Sequence, residues 1–121
     1  MVTVVIADRM GKGQNVGKGV EKAGGKAIVV PGIGADMQLG IVMDREKADF
    51  GISFCGSGGA GALAAQNGFG YKAKYSMRST QEGIVALNEG VKALGFGFND
   101  VEELGYELTK EYMRLQEDGK I

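Results

Sequence analysis

The sequence predicts a three-layer α/β/α domain on a mainly parallel sheet of about five strands, Rossmann-like or flavodoxin-like in plan. Three observations predict it. Short apolar runs alternate with helix-compatible runs from one end of the chain to the other. The 22 glycines of the 121 residues stand singly or in pairs between those runs, as loop punctuation and not as a low-complexity tract. Helix-start spacing follows two of the later runs, at Ser79 with Glu82 and at Asp100 with Glu103. One proline, no serine-rich linker and no internal repeat leave a single domain over residues 1–121.

Residues 2–7 form the first strand, and residues 8–14 a polar glycine loop. A helix follows over 15–23, closed by Gly24 and Gly25. Residues 26–30 are the second strand, ended by Pro31 and Gly32. The helix over 35–47 carries Met37, Ile41 and Val42 on its apolar side. The third strand spans 50–55, with a short helix at 60–67. A fourth strand over 72–75 precedes a helix that opens at Ser79 and runs to about Asn88. Residues 93–98 are the fifth strand, and a helix begun by the Asp100 signal runs to about Gln116.

Composition narrows the chemistry. There is no histidine, which removes imidazole bases, Ser-His and Cys-His dyads and histidine metal sites. With one cysteine besides, a zinc site is not expected, and neither is a cofactor. The formal net charge of −1 and the lack of tryptophan offer no surface for nucleic acid. No apolar run approaches the roughly 20 residues of a bilayer span, so direct membrane insertion is not expected. The N-terminus lacks a basic region ahead of its apolar stretch and reads as a strand, not a signal peptide. A lone cysteine fits a reducing cytoplasm.

Chemistry concentrates after the third strand. Cys55 is followed by Gly56, Ser57, Gly58, Gly59, Ala60 and Gly61, and then by an alanine-rich helix. Strand, glycine turn and helix aim unpaired backbone N–H groups at an anion, and the helix dipole favours thiolate over thiol. A small buried cysteine beside a tight turn is the plain alternative, but packing does not require that many small residues after the thiol. In such sheets ligands lie beyond the C-terminal strand ends, where strand order reverses. If strands one and three are neighbours, Asp8 faces Cys55 there. Arg9, Lys12 and Arg78 are candidate anion contacts on the same rim, with solvated surface charge as their plain alternative.

Ser53-Phe54-Cys55-Gly56-Ser57 within a small glycine-rich chain resembles the bacterial glycine-rich SFCGS family over essentially its whole length. Genes of that family are associated with clusters that also encode multi-membrane-span proteins and enzymes resembling sugar-acid aldolases, which implies carbohydrate uptake or catabolism and a membrane permease as partner. Residues 51–67 are also similar to the central motif of type B ribose-5-phosphate and galactose-6-phosphate isomerases. That resemblance implies Cys55 as the proton-abstracting base, with Ser57 and Asp8 in the catalytic set. Gly56, Gly58, Gly59 and Gly61 would supply amides to a developing enediolate. It also implies a phosphorylated small molecule as ligand and a homo-oligomer, a dimer or larger, that completes the site. This chain departs from the isomerase pattern at Arg9, where those enzymes carry a histidine, and lacks their C-terminal arginine extension. Three classes stay open: a sugar-phosphate or sugar-acid-phosphate isomerase, a phosphocarrier like the cysteine-phosphorylated component of sugar phosphotransferase systems, and a non-catalytic sugar-phosphate sensor or accessory subunit.

Overall fold

A computed structural model describes residues 1–8, 13–31, 35–54, 60–97 and 100–121, without the side chains of Asp36 and Ala60. Strands and helices alternate throughout: β1 (Thr3–Asp8), α1 (Gln14–Lys22), β2 (Lys26–Pro31), α2 (Ala35–Glu46), β3 (Phe50–Phe54), α3 (Ala60–Phe69), β4 (Ala73–Met77), α4 (Thr80–Asn88), β5 (Ala93–Phe96) and α5 (Glu102–Glu117). The five strands form one sheet in the order β2-β1-β3-β5-β4, and every pairing is parallel. The expected fold class is the observed one.

The sheet is covered on both faces because its strands are apolar on both. On one face Val4, Ile6, Ile52, Phe54, Leu94 and Phe96 pack with residues of α1, α4 and α5. On the other, Val5 and Ala7 meet Leu39, Val42 and Met43 of α2, while Ala93 meets Ala62 and Ala65 of α3. The period of two along each strand sends successive side chains into these two cores.

Glycine has a larger role than loop punctuation, and this corrects the sequence reading. Gly19 of α1 and Gly105 of α5 face each other where the helices cross. A Cβ on Gly19 would overlap the Glu102 carbonyl oxygen, and one on Gly105 would overlap that of Val16. The two backbones are in direct contact, which only glycine allows. The same demand recurs at Gly40, where a Cβ would stand 2.7 Å from Phe69, and at Gly83, where it would stand 2.9 Å from both Leu108 and Phe96.

Other corrections are local. Helix α2 buries Leu39, Val42 and Met43, so of its expected apolar side only Val42 faces the core, while Met37 is 68% and Ile41 43% exposed. The capping box at Ser79 and Glu82 forms as expected. The one expected at Asp100 does not: Val101 precedes α5 without a side-chain cap. Asp100 instead accepts from the Val16 backbone N–H (3.0 Å) and the Asn15 side chain (3.3 Å), capping α1 across the α1/α5 contact. Strand β5 ends at Phe96, two residues before the expected boundary, and β4 extends to Met77.

Candidate functional site

Strand order reverses beside β1. From β1 the chain moves to β2 on one side, and α2 then carries it back across the opposite face to β3 on the other. This is the switch point at which open α/β sheets bind ligands. Parallel pairing continues to Ala7 opposite Ser53, which leaves Asp8 and Phe54 side by side at the C-terminal edge. Cys55, Gly56, Ser57, Gly58 and Gly59, directly after β3, and Arg9 and Lys12, directly after β1, lie outside the described residues.

Asp8 is buried at 5% exposure. Its Oδ2 accepts a 2.7 Å hydrogen bond from the Gln14 side-chain amide, while its Oδ1 is buried with no hydrogen-bond partner among the described residues. Gly13 closes the chain over it with φ of 133°, a conformation that L side chains rarely adopt. A Cβ at Gly13 would stand 2.8 Å from Ile6 Cγ2 and 3.3 Å from the Asp8 Cα. The turn therefore requires glycine for its backbone angle and for its closeness to β1.

Ser53 anchors the end of β3. Fully buried, its Oγ accepts from the Ala62 backbone N–H at 3.1 Å and ties the first turn of α3 to the strand. That bond satisfies one of the amides a helix N-terminus leaves without an intrahelical partner. Gly61, buried in the same turn, is the one expected loop glycine within the described residues.

Arg78 reaches the same edge from the far side of the sheet. The β4/β5 register breaks between Lys74 and Met77, and Ser76 in that break has φ of 66°. This edge-strand bulge returns Met77 to the core and re-aims the residues after it. The exposed Arg78 guanidinium lies over Gly97, its nearest atoms 3.5 to 3.9 Å from where a Cβ there would stand. Its backbone N–H donates to Glu82 Oε2 at 2.5 Å. That hydrogen bond, with those from Ser79, holds the Glu82 carboxyl below its ordinary pKa against the opposing effect of desolvation. Arg78 is thus set at the end of β5, on the rim where the sequence expects it.

Sequence reasoning missed Gln14 and Ser53. Ser53 carried a signal, since it is the one hydroxyl in an otherwise apolar strand. Gln14 carried none, because its role appears only when Gly13 folds it back over Asp8. Among the described residues no cluster of three or more acidic or sulfur ligands could hold a metal ion, and no helix is long and apolar enough to cross a membrane.

The family model described as glycine-rich SFCGS matches residues 2–115 of the chain. No curated protein matches it. Solved structures with the same fold include the type B ribose 5-phosphate isomerase of Trypanosoma brucei, 18% identical with a TM-score of 0.69, covering 94% of this chain and 87% of that one. Ribose-5-phosphate isomerase B from Mycoplasma genitalium with bound ribulose-5-phosphate is 13% identical with a TM-score of 0.70, covering 98% and 92%. The Clostridium thermocellum ribose-5-phosphate isomerase B is 16% identical with a TM-score of 0.65, covering 99% and 96%. At these identities the likeness is one of fold.

Proposed function

The chain belongs to the glycine-rich SFCGS family, and from that premise we propose that it binds a phosphorylated sugar or sugar acid at the C-terminal edge of β1, β3 and β5 and acts on it as an isomerase. One observation carries the reading: β1 and β3 are neighbours at the switch point, so Phe54, the residue before Cys55 in the sequence, ends its strand beside buried Asp8. Fold neighbours whose names specify ribose-5-phosphate isomerisation support it, one of them with ribulose-5-phosphate bound.

In this reading the Cys55 thiolate removes the proton from the carbon next to the substrate carbonyl and returns it to the neighbouring carbon. The amides of Gly56, Gly58, Gly59 and Gly61 stabilise the enediolate formed between the two steps. The Ser57 hydroxyl and Asp8 carboxylate contact the reacting end. Arg78 holds the anionic end. Self-association belongs to the same reading. Met37, Ile41 and Leu63 are exposed on the outer helices, and Met37 and Leu63 line a cavity together with Ala64, Asn67 and Gly68. A membrane permease is the proposed partner in the cell, with the protein itself in the cytoplasm.

The chain's lack of histidine favours a second reading, a sensor or accessory subunit that binds the same ligand without turnover. A cysteine-phosphorylated carrier is less favoured, since in that class the cysteine follows the first strand, whereas Cys55 follows β3.

Calorimetry on wild type and Gly58→Val tests the anion loop. A side chain at Gly58 blocks close approach to the amides, so affinity for ribose 5-phosphate should fall by about tenfold or more. Equal affinity in the two proteins would place the sugar phosphate away from this loop.

A further inference from the structure

We infer that Gln14 and Asp8 form a hydroxyl-reading subsite, with Gln14 as its positioning residue, and that the ligand lies with its neutral end over β1 and its anionic end toward Arg78. The inference rests on the proposed function and gives it a direction. A buried carboxylate oxygen without a donor is costly, and Asp8 Oδ1 has none among the described residues, while the Gln14 amide fixes the other oxygen at 2.7 Å. With Oδ2 pinned, the carboxylate cannot rotate to share its two oxygens, and Oδ1 is left as a single fixed acceptor. A sugar hydroxyl is the matching donor. A phosphate is not, because like charges so close in a poorly solvated place repel.

The anionic group must therefore lie away from β1. Arg78, over Gly97 at the end of β5, is a cation placed at this edge. Strand β3 separates β1 from β5, so the two ends of the subsite are two strand spacings, about 10 Å, apart. An open-chain phosphorylated polyol laid across β3 meets both ends, with its middle over the strand that leads to Cys55.

Calorimetry with ribose 5-phosphate and inorganic phosphate separates the two ends. Asp8→Asn should weaken ribose 5-phosphate by about tenfold and leave inorganic phosphate unchanged or tighter, since a negative charge has been removed. Gln14→Leu, on an exposed position of α1 where leucine is a good helix former, should lower the same discrimination several-fold without changing inorganic phosphate. Arg78→Gln should weaken both ligands alike. Unaltered melting curves would show that the variants fold. If wild type binds ribose 5-phosphate but Asp8→Asn and Gln14→Leu keep its preference over inorganic phosphate, this assignment fails alone. If wild type binds neither ligand, the proposed function fails and this inference with it.

Discussion

Cys55→Ser should bind ribose 5-phosphate as wild type does, yet exchange solvent deuterium into the carbon next to the carbonyl about 100- to 10,000-fold more slowly. The substitution keeps size and hydrogen-bonding capacity but replaces an ionisable thiol with a hydroxyl that does not ionise near neutral pH. With no histidine in the chain, an imidazole cannot stand in as the base. Mass spectrometry of recovered ribose and ribulose phosphates reads the exchange, and calorimetry reads the binding. Exchange undiminished in Cys55→Ser would remove the thiol from the mechanism. Exchange absent from both proteins, with binding retained, would favour the sensor reading.

The second large effect is on the scaffold. Gly105→Ala should destabilise the fold by about 3 kcal/mol, a fall in melting temperature on the order of 10 °C. Its Cβ would meet a backbone carbonyl oxygen, which cannot rotate aside as a side chain would. Relief requires α5 to back away from α1, and α1 carries Gln14 at its first turn. The same crossing brings Asp100 to its hydrogen bonds with Asn15 and Val16, so the strain is delivered next to the proposed hydroxyl subsite. Gly68→Ala provides the contrast. That glycine sits in α3 with nothing within 4 Å of a Cβ, so alanine there should stabilise by about 1 kcal/mol through helix propensity. Equal melting temperatures for wild type and Gly105→Ala would mean that the helices do not touch as described.

What was legible in the sequence was local or periodic. Alternating apolar runs disclose the five strands because each run is short and bounded by turn residues. The Ser79 capping box could be read because its two partners are three residues apart. Asp100 was misread for the opposite reason: its hydrogen-bond partner Val16 is 84 residues away, and nothing near Asp100 distinguishes a cap for α5 from one for α1. Met37 and Ile41 were misassigned to the core because the apolar residues of α2 outnumber those that one buried face takes, and the sequence does not say which are left over. Burial goes to Leu39, Val42 and Met43, which point at β1 and its neighbours. The glycines at the α1/α5 crossing were invisible as contacts, since a close approach between two helices is set by residues far apart in the chain.

The candidate site divides similarly. The strand pattern alone puts Asp8 at the end of the first strand and Arg78 after the fourth; in the structure Asp8 is the buried last residue of β1 and Arg78 follows Met77, the last of β4. The bulge that lays Arg78 over Gly97 depends on Ser76 adopting φ of 66°, which no feature of that residue's neighbourhood announces.

Alkylation of the lone cysteine tests the central claim most directly, because any label taken up by a thiol must be on Cys55. The rate of reaction with iodoacetamide is followed against pH, with and without saturating ribose 5-phosphate. A thiolate ahead of a glycine loop and helix N-terminus should titrate below the ordinary value of about 8.5, and a sugar phosphate seated over the loop should protect it. An ordinary or raised pKa, with the same rate in the presence of the sugar phosphate, would make Cys55 a packing residue and contradict the account.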